Sequence, residues 1–337
     1  MKAGTGQACG IQATPALVEQ AIHQALANAD LERAGSILLF LTQDFQHHPQ
    51  AALLAAARAA GTMEIAGCTA SGLFTERGWL LDQPAAVALV MEECDTAQSQ
   101  ALGFCNHMPQ DWHHGAARYG LLDSDGCVWS HARQISDGCA EARLPPCRLL
   151  HAHSLGLRLL GGRHHIDAAL AYELQQVDGQ SALDNLRRAL PAALRGQPPL
   201  HQIVALRDPS LPYIPIIAAG SGGALIMGEM LDPGEEIVWA IRQPLAVEQD
   251  MRNALAPAVD QIAQSHFQPD CAIMFSCIGR GPLFYGDEDR DLAIFRESFP
   301  GLPLIGAYGN GQIAPAGSAN HLYHNSVSTL FLESTHV

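Results

Sequence analysis

Two apolar runs decide what this chain can fold into. ILLFLTQDF, Ile37 to Phe45, and CAIMFSCIGRG, Cys271 to Gly281, are apolar at successive rather than alternate positions, which marks strands covered on both faces. Such a strand needs a layer packed on each side of it. The first run is followed by the Ala-rich helix PQAALLAAARAA, which Pro49 opens and Gly61 stops, and then by the short strand MEIAGCTASG, broken by Gly67 and Gly72. The second passes a polar, acidic bend at Gly286 to Asp291 and a helix to Phe299, and reaches LPLIGAYGNGQ. Phe40 precedes Gly67 by 27 residues and Phe275 precedes Gly306 by 31. Two strand, helix, strand units ending in glycine-rich loops predict an α/β fold of two related sheet-and-helix halves, pseudo-symmetric, with mixed sheets and loops facing one cleft. A chance match between two common units is the alternative.

Around these units the pattern predicts an opening helix, with Thr14 as its cap, Pro15 in its first turn and Gly35 at its end. Strands are expected over Pro84 to Glu93 and, as a buried one, Cys147 to Gly156. A helix is placed around Trp112 to Leu121 within a Gly-, His- and Asp-rich stretch. ALDNLRRALPAAL, Ala182 to Leu194, and the polar RGQPP after it read as the changeover between halves. ALIMGEMLDPGEEIVWAIR reads as a hairpin turning at Asp232, Pro233 and Gly234. An amphipathic helix with a kink at Pro257 and a final strand, NSVSTLFLES, complete the chain.

A chain of 337 residues can bury a large core, and 34 acidic against 19 basic side chains, a formal charge of -15, argue against a nucleic-acid backbone as partner. No run of about 18 apolar residues and no signal-peptide pattern is present, so a cytoplasmic location with no membrane partner is expected. Nine cysteines without a CxxC suit reduced, mostly buried thiols.

Three groups of residues are candidates for ligand contact. Gly67, Cys68, Thr69 and Ser71 offer close backbone approach and two hydroxyls, or simply a tight strand-to-loop corner. Gly306, Tyr308, Gly309, Asn310, Gly311 and Gln312 add an aromatic face and two amides, a set suited to a small polar molecule. Ser276, Cys277 and Arg280 include a guanidinium between glycines that fits a carboxylate, or that pairs with the acidic run Asp287, Glu288 and Asp289. Cys68 or Cys277 as a nucleophile would make a cysteine-dependent enzyme, but no sequence signature sets a base beside either. Neither phosphate-loop nor dinucleotide fingerprints occur, and no spacing points to a metal site.

The chain resembles the FIST family, proteins with amino-terminal and carboxyl-terminal FIST domains associated with intracellular signal transduction. ILLFLTQDF with AGCTASGLF carries the likeness in the first half; IVWAIRQPLAVEQDM, MFSCIGRG and LPLIGAYGNGQIAP carry it in the second. The resemblance implies a FIST N-like domain over 1–180 and a FIST C-like domain over 200–337. It implies a sensory rather than enzymatic role: binding a small molecule such as an amino acid and acting on a separate histidine kinase or cyclic-dinucleotide enzyme. Some family members are haem proteins that sense nitric oxide. On that alternative haem b would be held non-covalently, since CxxCH is absent, with His151 and His153, two apart on one strand face, as candidate axial ligands. The family motif has an acidic residue where this chain has Gln312, a neutral amide without the same field.

Overall fold

A computed structural model describes residues 1–92 and 101–335. By compactness the chain forms two units, residues 1–155 with 251–337, and Gly156–Asp250. Glu93, at the end of the expected third strand, lies outside the described residues.

The larger unit opens with β1 (Ala3–Cys9), α1 (Pro15–Ala29), β2 (Ser36–Thr42), α2 (Pro49–Ala60) and β3 (Ile65–Ala70). The short hairpin strands β4 (Gly72–Thr75) and β5 (Gly78–Leu80) and then β6 (Ala85–Met91) follow. Next come β7 (Ala101–Cys105), β8 (Arg118–Leu122), β9 (Val128–Ser130), β10 (Arg133–Ile135), β11 (Cys139–Arg143) and β12 (Cys147–Ser154). After the smaller unit the chain resumes through the rest of α4 (Pro244–Ala263), β21 (Cys271–Cys277), the short α5 (Pro282–Tyr285), α6 (Arg290–Ser298) and β22 (Leu304–Gly309). It ends with β23 (Gly311–Ala316), β24 (Ala319–Tyr323) and β25 (Val327–Ser334).

Two six-stranded mixed sheets repeat one plan. In the first, β1-β6-β2-β3-β9-β10, β2 runs parallel to β3 and antiparallel to β6; in the second, β12-β25-β21-β22-β4-β5, β21 runs parallel to β22 and antiparallel to β25. Leu39 faces Gly67 in one and Met274 faces Gly306 in the other, so the register repeats as well as the order. The pseudo-symmetric α/β reading therefore holds.

Strand alternation explains why both runs are apolar throughout. Leu38 and Phe40 meet Ile273 and Phe275 in a core between the sheets. Ile37, Leu39 and Leu41 turn outward under α1 and α2, while Ala272 and Met274 turn outward under α4 and α6. The unit is thus a helix, sheet, sheet, helix sandwich. A third sheet, β11-β7-β8-β23-β24, adds Leu102, Phe104, Tyr119 and Leu121 to the inter-sheet core.

The smaller unit contains β13 (Arg158–Leu159), β14 (His164–Leu170), β15 (Glu173–Val177), β16 (Gln180–Ser181), α3 (Ala182–Ala189), β17 (Ile203–Leu206), β18 (Ile214–Ala219), β19 (Leu225–Met227) and β20 (Glu236–Ile241). Its strands pair antiparallel in the order β20-β14-β15-β19-β18-β17, and β17 pairs back onto β20, closing a ring around Trp239, Ile166, Ile203 and Leu225. Ser181 caps α3 by accepting from Asp184 N, 3.2 Å.

Several sequence expectations need correction. The opening helix stops at Asp30, whose φ of 53° places it in the left-handed region, five residues before Gly35, and Thr14 makes no side-chain cap bond. Gly67 does not break its strand; with φ 151° it continues the pairing of β3. The helix expected over Trp112 to Leu121 is a single 3-10 turn, Gln110–His113, followed by β8. The turn at Asp232 exists, but its arms β19 and β20 pair with other strands, so it is no hairpin. β12, expected to be buried, is a half-buried edge strand. No helix among the described residues is long and apolar enough to cross a membrane.

Candidate functional site

Both parallel strand pairs end at one place in the larger unit, because Ser71 N donates to Tyr308 O, 3.0 Å. The loop Leu122–Cys127, between β8 and β9, is laced between them. On one side Thr69 N donates to Cys127 O and Cys127 N donates to Thr69 Oγ1, both 2.8 Å. On the other, Asn310 N donates to Leu122 O, 2.8 Å, and Asn310 Oδ1 accepts from Ser124 N and Oγ, 2.8 and 2.9 Å. Carboxyl ends of parallel strands are where open α/β sheets bind ligands.

At the centre stands Asp123, which sequence reading missed. It is 3% exposed. Ser71 Oγ donates to its Oδ2 at 2.9 Å and Gln43 Nε2 to its Oδ1 at 3.2 Å. Burial pushes its pKa above the ordinary value, opposed by hydrogen bonds from Ser71, the Asp125 amide and Gln43. The available signal was the turn-forming DSDG after the apolar RYGLL, a loop at a strand end. Cys277 Sγ approaches Asn310 O at 3.9 Å and Asn325 Oδ1 at 4.0 Å, and His324 Nδ1 lies 2.9 Å from Asn310 O.

The glycines owe their identity to packing. A Cβ on Gly67 would sit 1.9 Å from Leu39 O, and one on Gly306 would sit 2.0 Å from Cε2 of the Phe74 ring, which packs on Tyr308. Gly309 and Gly311 are closed in by Leu122 O and the Leu322 side chain at 2.6 Å.

Tyr308 is wholly buried on the helix-facing side and donates its hydroxyl proton to Asp289. Ser276 lies beside it in register, also buried. Arg280 is enclosed nearby: Nε and Nη2 donate to Asp291 at 2.8 and 3.0 Å, and Nη1 and Nη2 donate to Ser154 O and Oγ at 2.9 and 2.6 Å. Its partner is thus Asp291, just beyond the acidic run. Gln312 is buried between layers, its Oε1 accepting from Ser326 Oγ at 2.9 Å, its Nε2 without a partner.

Cys68 is buried in the inter-sheet core, its thiol pushed well up by burial and then by Asp123. His151 and His153 point into the core side of β12, in a row of rings: Tyr119 to His151 4.7 Å, His151 to His153 5.6 Å, His153 to Tyr323 4.4 Å. Burial lowers their pKa values to about 4 and about 3. His151 Nε2 lies 3.0 Å from Ser328 Oγ; His153 Nε2 is enclosed without a partner.

Residues 181–315 match the FIST C domain. Two uncharacterized proteins of Mycobacterium tuberculosis, from strains H37Rv and CDC 1551, are 24% identical to this chain over 217 residues, covering 59% of it and 55% of their own length. An uncharacterized protein of Mycobacterium bovis is 24% identical over 218 residues, covering 59% and 54%. The chain spans about half the length of these relatives.

Proposed function

From the FIST C domain carried by residues 181–315, we infer that this chain is a sensory protein that binds a small polar ligand and acts on a separate signalling enzyme, a histidine kinase or a cyclic-dinucleotide enzyme. The observation that carries the ligand is Asp123. A carboxylate enclosed between two loops, held by Ser71 and Gln43 and flanked by the partly exposed Asn310, suits a solute with an ammonium or hydroxyl group, such as an amino acid. Binding there would favour one arrangement of the Leu122–Cys127 loop, and the partner would read that bias.

A calorimetric screen of amino acids and small amines tests this. Saturable binding that weakens on the order of tenfold or more in Asp123→Asn supports it, since one charge-assisted bond is worth about 1.5–3 kcal/mol. Binding that ignores both Asp123→Asn and Asn310→Ala, or no binding across the screen, overturns it.

The second reading, a haem b protein sensing nitric oxide, is favoured by one feature, the unpartnered Nε2 of His153. Iron would need that nitrogen, and the Tyr119, His151, His153, Tyr323 row would have to part to admit the macrocycle. A stoichiometric Soret band lost in His153→Leu supports it; a protein that leaves added haem spectrally free ends it.

A further inference from the structure

On the outer face of the third sheet, Cys105 of β7 and Cys139 of β11 are register partners. The next pair is joined by Asn106 N donating to Gly138 O at 3.0 Å. Hydrogen-bonded and open pairs alternate, so Cys105 and Cys139 hold an open position, where side chains stand closest and Cα atoms are about 4.5 Å apart. A disulfide spans Cα separations of about 4.4–6.8 Å. Both cysteines are free thiols packed in one small cluster with Trp112 and Ile313. They differ in access. Cys105 is buried, while Cys139 is half-buried and lines a cavity of about 360 Å³.

His107 completes the arrangement. Its Nε2 lies 4.0 Å from Cys139 Sγ, whose thiol also donates to His107 O at 3.5 Å, and its Nδ1 lies 2.7 Å from Asn106 Oδ1. An amide oxygen only accepts, so Nδ1 carries the proton and Nε2 presents a lone pair to the thiol. Gly138 makes room for this: with φ 76° it turns the chain, and a Cβ there would sit 2.3 Å from Asn106 Oδ1. Burial, then Asp137 and Asp111, hold the Cys139 thiol above its ordinary range, so the resting group is protonated and reaction needs a base. Asp111, Asp137 and Glu141 also line the cavity, which disfavours anionic disulfides and admits a neutral oxidant.

We propose that Cys139 and Cys105 form a redox-active dithiol whose oxidant is a hydroperoxide. Cys139 sulfur, its proton taken by His107, attacks one peroxide oxygen; the O–O bond breaks, the proton passes to the leaving oxygen, and a sulfenic acid and one molecule of water or alcohol result. The Cys105 thiol then attacks the Cys139 sulfur and expels water, leaving the disulfide. Two thiols and one hydroperoxide are consumed; one disulfide, one water or alcohol and one further water are formed.

The test is one equivalent of hydrogen peroxide on the full chain, alkylation of the remaining thiols and peptide mapping by mass spectrometry. The expected result is a Cys105–Cys139 link that dithiothreitol reverses, a dimedone adduct on Cys139 in Cys105→Ser, and oxidation slowed on the order of tenfold or more in His107→Gln. Oxidation at other cysteines first, or equal thiol loss in Cys139→Ser, a change at a half-buried rim position, overturns the proposal.

Discussion

Phe40 and Phe275 occupy equivalent positions in the two repeated units, and their rings meet edge to face across the inter-sheet core with centroids 6.1 Å apart. Phe104 of the third sheet closes the cluster at 5.5 and 6.0 Å. Three sheets therefore meet at one aromatic cluster. Phe275→Ala is expected to destabilise the larger unit by about 3–5 kcal/mol, through lost transfer energy and an unfilled cavity. With Phe40→Ala the two losses should not add, because the second substitution enlarges a cavity already present. Urea unfolding of the single and double variants measures both.

The repeat was legible because ILLFL and CAIMF carry their burial in the sequence itself: a strand between two packed layers cannot hide its apolar residues on alternate positions. The third sheet was not, since strands such as RYGLL and CAEAR are only five residues long, below what periodicity resolves. The same shortness hid Asp123 and the Cys105–Cys139 pair, which only strand register brings together. The supposed hairpin at Asp232 failed for a different reason. Local turn chemistry was read correctly, but the partners of its arms are set by ring closure of the smaller unit, a long-range condition.

Buried carboxylates should give the protein an unusual pH response. Burial and the neighbouring Asp291 raise Asp289 from 3.8 to about 6. The folded state then holds a proton that the unfolded chain releases, so between pH about 4 and about 6 stability falls as pH rises, by about 3 kcal/mol over the window. Asp289→Asn keeps an oxygen for the α6 cap at Leu292 N and sets its NH2 against the Tyr308 hydroxyl, which can accept, while removing the titration. The variant should flatten that slope and lose the destabilisation above pH 6, as read by denaturation midpoints at several pH values.

His151 and His153 act with the opposite sign. Burial lowers both, to about 4 and about 3, so the unfolded chain binds protons near pH 6.5 that the folded state refuses. Their stabilisation is complete above pH 6.5 and drains away as pH falls toward 4 and then 3. His153→Phe preserves a ring against Tyr323 and should reduce the steepness of acid unfolding. An unchanged acid limb would show that His153 is neutralised by some other route.

The Arg280–Asp291 pair separates charge from packing. Arg280 is fully enclosed and Asp291 is 1% exposed, so removing either partner alone strands a charge in the interior. Asp291→Asn is therefore expected to cost about 3–5 kcal/mol, and Arg280→Met a similar amount. Removing both charges with Arg280→Met and Asp291→Leu should recover most of that loss, because the pair's attraction mainly offsets its own desolvation. A double variant as unstable as the sum of the singles would instead mean that the bonds from Arg280 to Ser154 hold β12 in place independently of the ion pair.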